Sequence, residues 1–128
     1  MENNVLQQSL KPIFNLMKAT FVVVPMVAGI DKFTNVLTYW PHYINPFFER
    51  MLPVSPSAFM MIVGIIEVIA GLLVLIKPTL GGKIVALWLV LIAINLLINW
   101  FYPDVAVRDL VIAVSAFSMT GIAKLMDY

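Results

Sequence analysis

The chain has 128 residues, enough for one domain, and 62% of them are hydrophobic against 12% charged. A soluble domain carries about a quarter charged residues, so this surface is built to face lipid. The formal net charge of +1 excludes a basic nucleic-acid-binding field, and the lack of cysteine excludes disulfides, thiol nucleophiles, thiolate metal ligands and a dithiol relay within the chain. With a single histidine, His42, a haem held by two histidines of this chain is excluded as well.

The polar start, Met1 to Leu10, is expected at the cytoplasmic surface as a frayed or interfacial turn. Pro12 suits the first turn of a helix, where its missing N–H costs little. The first apolar segment, about 12–31, contains Lys18, which can snorkel to the headgroups, and Pro25, which should kink the helix. Asn15, Lys18, Val22, Pro25 and Gly29 share one stripe and are expected to face the bundle. No A-x-A site follows this segment, so a membrane span rather than a cleaved leader is expected.

Asp31 to Val54 is the longest connection. Pro41, Pro46 and Pro53 punctuate it, and Tyr39, Trp40, Tyr43, Phe47 and Phe48 make it aromatic. Rings with polar tips favour the membrane–water interface. The stretch reads as a short interfacial helix or re-entrant turn over the bundle mouth. It is either an aromatic anchor or a lid over a ligand cavity, with Trp40, His42 and Tyr43 as the loop residues of interest.

The second segment, 56–76, is apolar almost throughout and carries Glu67 near its midpoint. At 1.5 Å per residue it is roughly 30 Å long, the thickness of a hydrocarbon core. A charge at that depth costs roughly 2.5–3.5 kcal/mol on insertion scales, so Glu67 needs a partner or a use. Met60, Gly64, Glu67 and Gly71 lie on one stripe, and the glycines let a neighbouring backbone approach. The stretch Lys77 to Lys83 reads as a short turn into an antiparallel third helix, about 82–101. There Trp88, Ile92, Asn95 and Asn99 share a face. The fourth helix is expected over about 107–126, with Arg108 and Asp109 at its start, Ser115, Ser118 and Thr120 near mid-membrane, and Lys124 and Asp127 at the far surface. Arg108 with Asp109 reads as a surface pair or interfacial anchor.

Counting basic residues orients the bundle. Lys11, Lys18, Lys77, Lys83 and Lys124 fall on one side; Lys32, Arg50 and Arg108 fall on the other. Both termini are therefore expected in the cytoplasm, with the aromatic loop outside it.

By depth, Glu67, Asn95 and Ser118 come together near the midplane on helices two, three and four, with Asn99 one turn further out. Burial disfavours a charged carboxylate, so a neutral Glu67 hydrogen-bonded by the amide and hydroxyl groups is expected. Three readings stay open: a structural clamp, a binding site for an amphiphile such as a quinone or lipid, and a proton relay. Lone His42 without nearby carboxylates makes no metal site.

The run Gly29-Ile-Asp-Lys32-Phe, followed by an aromatic, proline-containing loop, resembles the DoxX-like family of small four-helix membrane proteins. So does Ile65-Ile-Glu67-Val-Ile-Ala-Gly71-Leu-Leu. The similarity spans about Lys11 to Asp127, and Gly29, Lys32, Glu67 and Gly71 are the matching positions. The resemblance implies a link to quinone-side or oxidative-stress redox assemblies. Relatives that run thiol relays use cysteines, and this chain has none.

The expectation is thus an all-α membrane protein: one transmembrane domain, 1–128, forming an antiparallel bundle of four helices with an aromatic extracytoplasmic loop between helices one and two. It is placed in a bacterial inner membrane. Its expected role is a non-catalytic or accessory subunit of a larger, redox-linked complex, with other membrane subunits or copies of itself as partners. The alternatives are an amphiphile-binding module or a proton-relay protein centred on Glu67.

Overall fold

A computed structural model describes residues 2–126. The long helices are α1 (Glu2–Asp31), α3 (Pro56–Ile76), α4 (Pro78–Leu97) and α5 (Pro103–Leu125), and the loop between α1 and α3 holds a 3-10 turn (Trp40–Tyr43) followed by one short α-helical turn, α2 (Pro46–Glu49). No strand occurs among the described residues. Each long helix contains a stretch long and apolar enough to cross a membrane. The molecule is therefore an all-α membrane protein, an antiparallel four-helix bundle. Its outer faces carry Val23, Ile66, Leu87 and Val114 in exposed positions, as lipid contact requires. Asp127 lies outside the described residues.

The helix starts differ from the sequence expectation in an instructive way. The N-terminal stretch is not a turn: α1 begins at Glu2 and Pro12 lies inside it. Pro12 is exposed, so the hydrogen bond it removes faces outward. The Gln7 side chain donates to the Leu125 carbonyl at 2.9 Å, which ties this polar first part of α1 to the last turn of α5. On the stripe expected to face inward, Gly29 is buried while Asn15 is exposed; the buried residues of α1 are instead Phe14, Phe21, Gly29 and Asp31.

Lys77 alone separates α3 from α4, and α4 starts at Pro78 rather than near residue 82. Proline at a first helical position costs nothing there. The Gly81-Gly82 pair is therefore a packing device and not a turn. A Cβ at Gly81 would lie 2.5 Å from the Leu73 carbonyl carbon, and one at Gly82 would lie 2.7 Å from Thr120 Cγ2. At the other end α4 stops at Leu97, and Asn99, Trp100 and Tyr102 adopt left-handed backbone angles (φ 59°, 56° and 50°) in the link to Pro103. Asn99 tolerates that conformation; Trp100 and Tyr102 do not adopt it readily.

Helix α1 packs most closely on α3, and α4 on α5. The α3–α4 contact joins the two pairs, and a slighter α1–α5 contact closes the ring. The main core gathers Phe14, Phe21, Ala70, Val74, Val85 and Met119 in the half away from the loop. Ile44, Met60 and Val63 form a second core beneath the loop.

Candidate functional site

The α1–α3 seam is built on glycine. A Cβ at Gly29 would lie 2.5 Å from the Gly64 carbonyl oxygen, and one at Gly71 would lie 2.6 Å from Met26 Cγ. Two helices can run this close only where side chains are missing. The Lys32 stem passes over the same spot, since a Cβ at Gly64 would sit 3.1 Å from Lys32 Cβ. Antiparallel packing places Lys32 nearer the loop than Glu67. The lysine side chain therefore runs back down the seam, and its Nζ reaches Glu67 Oε1 at 2.7 Å. Both side chains are almost fully buried, at 5% and 8% exposure.

This ion pair replaces the expected environment of Glu67. Its partner is a cation from the end of α1, not an amide and a hydroxyl from α4 and α5. Ser118 is exposed, and its hydroxyl donates to the Val114 carbonyl of its own helix at 2.8 Å. It faces away from Glu67. Asn99 is exposed beyond the end of α4. Of the four polar candidates only Glu67 and Asn95 line the internal cleft.

Buried ion pairs are costly to desolvate and need further partners to hold them. Lys32 has two. Its ammonium lies 3.8 Å from the centroid of the Trp40 ring, a cation–π contact, and 3.5 Å from the Ala28 carbonyl oxygen. Trp40 is held in turn by Asp31. The Asp31 Oδ2 atom accepts from Trp40 Nε1 at 2.8 Å and from the Leu37 N–H at 2.9 Å. Its Oδ1 accepts from the Thr34 hydroxyl at 2.9 Å and the Val36 N–H at 3.1 Å. One carboxylate thus folds the start of the loop and places the indole over Lys32. An acidic residue in the last turn of a helix opposes the helix dipole, which is the sequence signal that Asp31 serves something else.

The far half of the loop is latched to α4 by two asparagines. Asn45 Nδ2 donates to the Asn95 and Ile98 carbonyls at 2.8 and 2.7 Å. Asn95 Nδ2 donates to the Tyr43 carbonyl at 2.9 Å. The Asn45 Oδ1 atom also caps the short α2 turn by accepting from the Phe47 N–H. Asn95 is therefore a loop anchor, and Asn45, buried at 1% exposure, is its unforeseen counterpart.

Beneath the latched loop lies a cleft of about 1240 Å³. Its walls are mainly apolar, with Phe21, Val24, Met60, Val85 and Ile112 among them. Its charged groups are Lys32, Glu67, Arg108 and Asp109, and Asn95, Thr20, Thr38 and Ser115 add neutral polar ones. Trp40 and Tyr43 line it from the loop, while His42 is exposed and sits edge-on to Tyr39 with ring centroids 4.8 Å apart. Pro25 removes the helical hydrogen-bond donor to the Phe21 carbonyl, and both residues line the cleft wall. Comparison with protein-family models, with curated proteins and with solved structures gives no match.

Proposed function

We propose that this bundle is a binding module for a small membrane amphiphile, held in the cleft with its polar part among the charged groups Lys32, Glu67, Arg108 and Asp109 and with Trp40 and Tyr43 closing over it. The observation that carries this reading is the cleft itself: it runs from the aromatic loop to a buried ion pair between mainly apolar walls that carry a few further polar groups. Ligand sites have this character, with a few placed polar groups in an apolar cavity of several hundred Å³ or more. A clamp that served packing alone would be expected in a filled interior.

The four positions of the DoxX-like resemblance support kinship with that family, since Gly29, Lys32, Glu67 and Gly71 all lie on the α1–α3 seam. On that footing the amphiphile would be a quinone or a lipid, and the bundle an accessory component of a redox-linked membrane complex that supplies the active centre elsewhere. The charge count supports termini in the cytoplasm and the loop on the opposite side of a bacterial inner membrane.

The test is extraction and mass spectrometry of what stays bound to the protein purified in nanodiscs. Wild type is compared with Val24→Phe and Ser115→Trp, which fill the cleft, and with Phe117→Trp on the outer face. A compound retained by wild type and Phe117→Trp but lost from both filling variants supports the proposal. Equal retention by all four, or none by any, refutes it.

A further inference from the structure

Two charged cleft residues feel each other and the Lys32–Glu67 pair electrostatically but are not within ion-pair distance of any described residue. Arg108 and Asp109 both line the cleft, yet neither forms a hydrogen bond or an ion pair with any described residue. The other two charges there, Lys32 and Glu67, neutralise each other at 2.7 Å. Adjacent positions on a helix point about 100° apart, so Arg108 and Asp109 attract one another without closing an ion pair, and each keeps hydrogen-bonding capacity for a third group. They lie five and six residues after Pro103 at the loop end of α5, roughly 8–9 Å into the helix.

The cleft is also open on one side. Helices α1 and α5 are joined at the end away from the loop, where Gln7 bonds Leu125. Toward the loop the cleft lies between them, and Val24 on α1 and Ile112 on α5 are exposed lining residues. A molecule already in the bilayer can enter there without crossing water.

From this pattern, and resting on the binding proposal above, we infer that the ligand is a zwitterionic lipid with a primary ammonium. Its phosphate meets the Arg108 guanidinium, its ammonium meets the Asp109 carboxylate, and an acyl chain lies between α1 and α5. A guanidinium suits phosphate through paired N–H donors. A carboxylate beside it rejects a purely anionic head and accepts N–H donors, which a quaternary ammonium lacks.

The test uses the full chain in dioleoylphosphatidylcholine vesicles, with tryptophan quenching by lipids brominated on the acyl chain. The Trp100→Phe background leaves Trp40 and Trp88, both of which line the cleft. Brominated phosphatidylethanolamine should quench with roughly three- to tenfold higher apparent affinity than brominated phosphatidylcholine or phosphatidylglycerol, as one or two partly exposed charge-assisted bonds allow. Asp109→Asn should abolish that preference, Asp109→Glu should retain it, and Arg108→Gln should weaken binding of all three headgroups. Preference for phosphatidylglycerol, equal quenching by the three lipids, or a preference that survives Asp109→Asn overturns the headgroup assignment. If a brominated fatty alcohol still quenches saturably in those cases, the cleft remains a binding site and only the zwitterion falls. If no brominated compound saturates, both proposals fall.

Discussion

The Lys32 ammonium reaches back along the α1–α3 seam to Glu67 Oε1, 2.7 Å away, with the Trp40 ring 3.8 Å from the same nitrogen. A residue just past the end of one helix thereby neutralises a carboxylate near the middle of its neighbour. The same contact joins the membrane interior to the aromatic loop, because Trp40 is bonded to Asp31 at the loop's origin.

Breaking that pair from one side leaves a buried charge without a partner. Lys32→Met and Glu67→Leu should each destabilise the protein by about 3–5 kcal/mol, and the double variant should recover most of the loss. Thermal unfolding in detergent micelles reads this directly. Additive losses in the double variant would show that the two side chains do not depend on each other.

Glycine substitutions separate close approach from helix propensity. Gly64→Ala forces a Cβ against the Gly29 carbonyl and the Lys32 stem, and should cost about 1–3 kcal/mol as overpacking does. Gly121 is exposed and has nothing within 4 Å of the corresponding position, so Gly121→Ala should be neutral or stabilising by about 0.5–1 kcal/mol. Chemical denaturation of the two variants side by side gives the comparison.

Asn45 holds the loop to α4. Its replacement by alanine removes two donated bonds and the cap on α2, and leaves the Asn95 and Ile98 carbonyls short of a donor. A loss of about 3 kcal/mol follows from these three bonds at about 1 kcal/mol each. Hydrogen exchange should rise over residues 40–49 while the first three turns of α4 stay protected. Unchanged exchange in the loop would mean that the latch is not what orders it.

Ser118→Ala should change neither stability nor ligand retention beyond about 0.5 kcal/mol, as expected of an exposed position. Its hydroxyl serves only the Val114 carbonyl one turn back. Mass spectrometry of bound compounds, run beside a melting curve, checks both halves of that expectation.

Much of the fold was legible because the bilayer imposes it. Four apolar runs of the right length leave few alternatives, and prolines mark the starts of α3, α4 and α5. Glu67 stood out for the same reason, as a carboxylate with no apolar excuse. Its partner did not, because residue counting places the Lys32 Cα at the loop end and ignores a side chain long enough to turn back. Ser118 failed for the opposite reason. Depth was right, but depth says nothing about azimuth, and a serine in a helix can satisfy itself on its own backbone. The Gly81-Gly82 pair looked like a turn because glycines punctuate loops as readily as they permit close packing. Asn45 sits in a loop without periodicity, so nothing in its neighbourhood marks it as buried.

The most direct measurement is the infrared difference spectrum between protein in lipid nanodiscs and protein stripped by detergent exchange, recorded for wild type and Glu67→Gln. An ion-paired Glu67 at the edge of an occupied cleft predicts a carboxylate stretching band that shifts when the amphiphile leaves and is missing from the Glu67→Gln spectrum. A difference spectrum identical in the two proteins would contradict the account, and so would a protonated-carboxyl band that belongs to Glu67. In either case the cleft would not be reporting to the ion pair beneath it.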